Sequence, residues 1–274
     1  MFIRELHTLN IAHRGARSLA PENTMFAAQK AFMIGADLWE LDVAETLDSE
    51  LVVIHDDTLN RTSNVQDVYP ERSPWLVHQF TLAELRQLDF GSWFNRQDPF
   101  GQIAAGAVSP AEQRSYIGAK IPTLKEALLF TREHSWYVNV EIKDLTGQPG
   151  DERVVEDVVA LVHELEMVDR VMISSFNHAY LKRCQTADSS IMTAALVETP
   201  GGNPEQIVRA CGAWAYNPGS DMITPEEAAV LESRDLPVNI WTVNDPKQMQ
   251  ALIDAGINGI FTDFPQLLRQ LEEN

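Results

Sequence analysis

The sequence predicts an α/β protein folded as a closed barrel of eight parallel strands, the TIM (β/α)8 architecture, with a small insertion after a β-hairpin. Three observations carry this. Apolar, β-branched runs alternate with amphipathic segments along the whole chain, as parallel pairing requires. Eight such strand-like runs can be picked out beside the hairpin's return arm. The chain has 274 residues, a length that one barrel of this kind fills. A doubly wound open sheet shares the alternation and is the competing architecture.

The strand runs, in order, are NIAHRG, DLWELDV, WYVNVEIK, RVMISSF, IMTAALVE, AWAYNP, PVNIWTVN and GIFTDF. Helical patterns lie between them, including TMFAAQKAFMIGA, TLKEALLFTRE, DERVVEDVVALVHELEM, PEQIVRAC, TPEEAAVLESR and PKQMQALIDAG. Side-chain caps or first-turn prolines are expected at Asn23, Thr123, Asn203-Pro204, Thr224-Pro225 and Asp245-Pro246. One unit breaks the rhythm. DLWELDV runs into AETLDSELVVIHDD with no room for a helix, which reads as a hairpin turning at Asp48-Ser49. A two-residue turn there sets Asp42 directly opposite His55. From residue 58 to 121 the period fails, and this stretch is expected to be an insertion within a single domain spanning 1–274. Within it TLAELRQLDFGSWF reads as a short amphipathic helix with an aromatic tip.

Composition narrows the function. The formal net charge of −19 excludes the basic footprint that nucleic acid demands, and it disfavours docking on an anionic membrane. No apolar run reaches the roughly 20 residues of a membrane span. MFIRELHTLN is interrupted by Arg4, Glu5 and His7 and has no signal-peptide centre, so a cytoplasmic location is the default expectation. The two cysteines, Cys184 and Cys211, are far apart and read as reduced, buried small hydrophobes.

Chemistry-bearing residues fall at the strand ends, where a barrel gathers its active site. The first strand ends in His13-Arg14-Gly15. The second carries Glu40 and Asp42, which share one face at i and i+2. The hairpin's return arm ends in His55-Asp56, and VNVEIK ends in Glu141 and Lys143, again i and i+2. Taken singly, His13 is an ordinary core histidine, Lys143 a neutraliser of Glu141, and the acid pair a solvated face. Jointly they form a site. Oxygen-only ligands from Glu40, Asp42 and Glu141 suit one hard divalent cation, Mg2+ or Ca2+, and no Cys or H-E-x-x-H spacing supports zinc. Two histidines near their ordinary pKa of about 6.5 can share general acid and base duties. Arg14 and Lys143 add fixed positive charge for an anionic transition state. This constellation points to phosphoryl-type chemistry on an anion. A serine hydrolase has no G-x-S-x-G to support it.

HRG followed by PENT, then ELDV, VVIHDDTLNRT, LDFGSWF, IPTLKEAL, VEIK, WTVND and GIFTDFP resemble, in this order, the glycerophosphodiester phosphodiesterase family. The resemblance runs from about His13 to Pro265. It implies a TIM barrel with an insertion after the hairpin, a metal held by Glu40, Asp42 and Glu141, an acid/base pair in His13 and His55, and phosphate contacts from Arg14 and Lys143. It further implies hydrolysis of a small anionic phosphodiester, such as glycerophosphocholine or glycerophosphoethanolamine, to an alcohol and glycerol 3-phosphate. The route implied is attack of the glycerol 2-hydroxyl on phosphorus and opening of a cyclic phosphate by water. Two departures stand out: Asp48-Ser49-Glu50 replaces a glycine turn, and the segment from Arg96 to Lys120 is individual to this chain and expected to cap the mouth.

Further readings stay open at this level. Glu22 is either a first-turn acid or a partner behind Arg14 or the metal. Phe94, with Trp93, is either insertion packing or an apolar wall for the substrate's alcohol. Trp241 lies in the core or at the mouth. His7, His78, His134, His163 and His178 read as structural or surface residues. The rival functions are a lysophospholipase D-like activity on long-chain lysolipids and a non-catalytic phosphate-ligand binding protein. The second predicts loss of at least one of the seven chemical residues, and none is missing.

Overall fold

The computed structural model describes residues 7–273, so part of the N-terminal reading lies outside the described residues. The strands are β1 (Leu9–Ala12), β2 (Leu38–Glu45), β3 (Leu51–Val53), β4 (Tyr137–Ile142), β5 (Val171–Ser175), β6 (Met192–Val197), β7 (Ala215–Pro218), β8 (Asn239–Ile240) and β9 (Gly259–Thr262). All except β3 pair in parallel, in the order β7-β6-β5-β4-β2-β1-β9-β8. Isolated parallel bridges Tyr216↔Val238 and Gly219↔Trp241 join the two ends of that order. The result is a TIM barrel, as the alternation of runs predicts.

The helices are α1 (Met25–Ile34), α2 (Val65–Val68), α3 (Leu82–Leu85), α4 (Ser92–Gln97), α5 (Pro110–Tyr116), α6 (Leu124–Glu133), α7 (Val154–Glu164), α8 (His178–Ala187), α9 (Pro204–Cys211), α10 (Pro225–Glu232), α11 (Pro246–Asp254) and α12 (Pro265–Glu272). Thr123 and Thr224 close capping boxes with Glu126 and Glu227, and Asn203 and Asp245 cap α9 and α11. Asn23 does not cap α1. Thr24 does, accepting from the Ala27 amide, and Asn23 is released for another task described below. Among the described residues no helix is long and apolar enough to cross a membrane. Both cysteines are free and buried.

Strand alternation sorts β2 into two faces. Trp39, Leu41 and Val43 face outward into the main core with Leu124, Ala127 and Leu128 of α6, where Trp39 stacks on Trp136 at 6.2 Å. Leu38 joins Ile11, Met172, Ala194, Ala215 and Phe261 in an apolar layer inside the barrel. Glu40 and Asp42, two and four residues further along the inner face, therefore stand above this layer, toward the C-terminal mouth. The β2–β4 register pairs Glu40 with Asn139 and Asp42 with Glu141. That register brings the acids of two strands level.

The hairpin differs from expectation by one residue. Val43 pairs with Val53 and Glu45 with Leu51, and the Ile54 amide donates to the Asp42 carbonyl. Ile54, not His55, thus lies opposite Asp42. The reason is the turn. Thr46 and Glu50 bracket a three-residue loop, with Ser49 in the left-handed region at φ +68°, a common three-residue hairpin solution. His55 reaches the site because β3 has ended and the chain turns over the mouth.

Residues 58–121 carry α2–α5 between β3 and α6, around a small core that includes Val52, Ile54, Leu59, Phe80, Leu85, Leu88 and Ile121. The aromatic segment is no exposed tip: Trp93 and Phe94 are buried in α4. Helix α5 lies in a stretch without period, yet Ser109 and Glu112 form its capping box.

Candidate active site

Gly15 makes the first corner possible. Its φ is +79°, and a Cβ there would fall 2.6 Å from the Ala27 backbone, so only glycine lets β1 turn this close to α1. Arg14 just before it is also left-handed, at φ +55°. Such a conformation in a bulky residue is strained and concentrates at functional sites. Here it aims the Arg14 amide at Glu40 Oε2, 2.7 Å away.

Ligand oxygens of Glu40, Asp42 and Glu141 lie within 4.8 Å of one another. Glu40 and Asp42 are almost fully buried, and among the described residues Glu40 Oε1 and Asp42 Oδ1 have no hydrogen-bond partner. Orphaned buried carboxylate oxygens are costly. An all-oxygen triad with open lone pairs fits a hard divalent cation. Lys143 Nζ lies 2.8 Å from Glu141 Oε1 and 3.6 Å from Asp42 Oδ1. Asp42 Oδ2 is held by Asn23 Nδ2 at 2.8 Å and faces Arg14 Nε at 3.4 Å. Burial opposes ionisation of Asp42, but Arg14, Lys143 and His55 outweigh it and hold the carboxyl at about 2. Burial and the neighbouring Asp42 push the Glu40 and Glu141 carboxyls up.

Each histidine is backed by its own aspartate. His13 Nδ1 lies 2.7 Å from Asp263 Oδ1, and Asn244 Nδ2 donates to Asp263 Oδ2 at 2.7 Å. His55 Nδ1 lies 2.7 Å from Asp56 Oδ1, and Arg61 Nε donates to Asp56 Oδ2 at 2.6 Å. A carboxylate only accepts, so both rings carry their proton on Nδ1 and leave Nε2 for chemistry. Burial lowers the His13 pKa, Arg14 lowers it further, and Asp263 only partly compensates.

Glu22 ties the two dyads together. It is buried and receives Arg14 NH1 at 2.9 Å, Arg17 NH2 at 2.7 Å and Arg61 NH2 at 2.7 Å. Arg17 NH1 also approaches Asp263 Oδ1 at 3.4 Å, while Arg61 grips Asp56. The dipole reading of Glu22 gives way to the partner reading: it faces three guanidinium groups.

His13, Arg14, Glu40, His55, Glu141, Lys143 and Trp241 line one cavity of about 460 Å³ at the barrel mouth. Phe94 does not reach it. It is fully buried against Trp93 and Tyr116, because α4 turns its aromatic face into the contact with Leu19, Ala20 and Ala27. The expected cap is equally indirect. Phe100 meets Phe264 at 5.5 Å and lies under Arg17, but no cavity-lining residue comes from 96–120. Of the histidines read as structural or surface residues, His7 and His163 do have acid partners, Asp37 and Asp188, away from the mouth. Asp263, Asn244, Arg17 and Arg61 carry no role in the sequence reading, and Asn23 appears there only as a helix cap. Asp263 was findable, since it ends the strand GIFTDF just as His13 ends the first.

A barrel with this mouth defines a class, the TIM-barrel phosphoric diester hydrolases. Comparison with known proteins narrows it. The model of the glycerophosphoryl diester phosphodiesterase family matches residues 13–267. A glycerophosphodiester phosphodiesterase of Caldanaerobacter subterraneus is 33% identical over 267 residues, covering 97% of this chain and 98% of its own. A crystal structure of a glycerophosphoryl diester phosphodiesterase, so far putative in name, from Silicibacter pomeroyi superposes with a TM-score of 0.83 at 26% identity, covering 98% of this chain and 95% of its own. An Oleispira antarctica phosphodiesterase, solved in complex with the product sn-glycerol-3-phosphate, gives a TM-score of 0.78 at 24% identity, with 98% of each chain covered. The chain belongs to the glycerophosphoryl diester phosphodiesterase family.

Proposed function

We propose that this protein hydrolyses small glycerophosphodiesters to an alcohol and glycerol 3-phosphate, with His13 and His55 as the acid/base pair and Glu40, Asp42 and Glu141 as ligands of one divalent cation. The observation that carries the reading is the convergence on one cavity of an oxygen triad with unsatisfied buried atoms and two aspartate-oriented histidines. The Oleispira product complex supports the choice of products. It is tested by following glycerophosphocholine turnover by 31P NMR. A glycerol 3-phosphate resonance is expected, and phosphocholine as the product would contradict the assignment of the cleaved bond.

Held by Glu40, Asp42 and Glu141, Mg2+ or Ca2+ would supply the positive charge that lets an acidic protein accept an anion. Arg14 and Lys143 line the same cavity and would stabilise charge developing on the phosphoryl oxygens. His13 takes the proton of the attacking glycerol hydroxyl at Nε2, because burial and Arg14 keep its ring neutral. His55 delivers a proton to the departing alcohol. Water then opens the cyclic phosphate with the roles exchanged.

Two consequences follow in solution. Only neutral His13 accepts a proton, and its pKa is depressed, so kcat/KM should fall on the acid side with a midpoint below about 6.5. A midpoint well above that value would reassign the base. Asp263→Asn should remove the orientation and charge that fix the His13 tautomer, lowering kcat on the order of 100-fold with a smaller change in KM. Steady-state kinetics on glycerophosphocholine separates the two.

A further inference from the structure

Segment 96–120 sends no residue into the cavity, yet one of its side chains touches the groups behind His13. Asp98, Pro99, Phe100 and Gly101 form a tight turn, in which the Gly101 amide donates to the Asp98 carbonyl at 2.9 Å. Proline and glycine stand where such a turn favours them. The Asp98 carboxylate then accepts the Ile103 and Ala104 amides, both at 2.9 Å, and Ile103 packs against the cluster around Phe94. Phe100 is thereby held near the apex of a fixed turn. Its half-buried ring lies under the Arg17 guanidinium, 5.3 Å from centroid to Cζ. The same ring meets Phe264 edge to face at 5.5 Å and 88°, and Phe264 directly follows Asp263.

Arg17 needs such a brace. Its NH2 donates to Glu22 Oε2 at 2.7 Å, while its buried Nε has no partner among the described residues. NH1 stands 3.4 Å from Asp263 Oδ1 and 3.5 Å from His13 Nδ1. Charge-assisted bonds of this kind normally close to about 2.7–2.9 Å, so the Arg17–Asp263 contact is held open. Because His13 carries its proton on Nδ1, two donors aim at one carboxylate oxygen, and the short bond of 2.7 Å belongs to His13. A guanidinium free to slide inward would compete for that oxygen. The single short bond to Glu22 leaves the guanidinium plane free to turn about it. The face of Phe100 removes that freedom, since an aromatic ring attracts a cation placed over it.

We propose that Phe100 is a positioning residue for the reaction: its ring holds the Arg17 guanidinium back from Asp263, which keeps the Asp263–His13 bond intact and leaves Nε2 free. The contact with Phe264 ties that ring to the strand end carrying Asp263. A loop outside the cavity thus sets the geometry of the base within it. This role rests on the reading of His13 as the base, and it adds the means by which the insertion acts on the chemistry.

Steady-state kinetics on glycerophosphocholine compares Phe100→Leu, which keeps apolar bulk and loses the aromatic face, with Phe100→Tyr, which keeps the face. Phe100→Leu should lower kcat about tenfold and move KM less than about twofold, in the range a cation–aromatic contact commands. Phe100→Tyr should keep at least about half of the wild-type kcat. In an Arg17→Lys background, where the planar group is gone, Phe100→Leu should cost nothing further. Thermal melts of the variants register folding. Histidine 15N NMR reports the His13 tautomer and hydrogen bond without turnover, its signal assigned by loss in His13→Ala. Phe100→Leu should move that signal and Phe100→Tyr should leave it in place. Unchanged kcat or an unmoved His13 signal in Phe100→Leu overturns the role. So does an equal loss in Phe100→Tyr, or the same loss in the Arg17→Lys background. If the wild type turns over no glycerophosphodiester, the hydrolase reading falls, and the NMR signal alone decides whether Phe100 positions His13.

Discussion

His13→Ala and His55→Ala should each lower kcat on the order of 1,000-fold while leaving the fold intact. Positioned acid/base groups contribute about 100- to 10,000-fold. Both rings here are pre-oriented, with Nδ1 bound to Asp263 or Asp56 at 2.7 Å. The two losses should also be strongly non-additive, because either ring alone leaves one proton transfer without a partner. Neither ring anchors the core, so thermal melting should move little. Kinetics of the two single variants and the double variant checks this. Full activity in either single variant would remove that histidine from the reaction.

Glu22→Gln should be the most damaging change away from the reacting atoms. The substitution keeps volume but removes the charge that three arginines share, and it places an amide N–H against a guanidinium. Removing one partner of a buried ion cluster costs about 3–5 kcal/mol. Arg61 is one-third exposed and solvent screens it, so about 3 kcal/mol is expected, or about 5 °C in Tm for a chain of this size. Glu22 is held well below the ordinary carboxylate range; burial opposes this, and Arg61, Arg14 and Arg17 overcome it. Its contribution is therefore present at neutral pH and lost as pH falls through the folded-state pKa. The stability gap between wild type and Glu22→Gln should accordingly narrow below about pH 4. Because Arg17 and Arg61 also hold Asp263 and Asp56, kcat should fall as well. Scanning calorimetry at several pH values measures the first effect directly.

What the sequence made legible follows from period and residue type. Eight alternating runs announced the barrel. The inward position of Glu40, Asp42 and Glu141 follows from strand alternation alone, because the residues between them are outward-facing hydrophobes. The hairpin was visible, but its register was not, since Asp48-Ser49 looks like a two-residue turn and only Ser49 in the left-handed region reveals three. Asn23 looked like a cap because it precedes a helix, while its neighbour Thr24 took that role and freed Asn23 for Asp42. Arg17 and Arg61 reach Glu22 from different loops, and nothing in local pattern marks such a meeting. Phe94 shows the opposite limit: an aromatic just after a turn fits a wall or a core equally well until its helix is placed.

On this reading the orphaned oxygens of Glu40 and Asp42, with Glu141, hold a divalent cation that the reaction requires. It is tested most directly by stripping the protein of metal and assaying glycerophosphocholine hydrolysis before and after adding back Mg2+ or Ca2+, with calorimetric titration of the same ion into wild type and Glu40→Gln. A loss of at least about 100-fold is expected on stripping, in line with the role of a bound metal, with recovery on addition and ion binding that Glu40→Gln weakens at least about tenfold. Full activity in the stripped enzyme, or ion binding unchanged in Glu40→Gln, would contradict it.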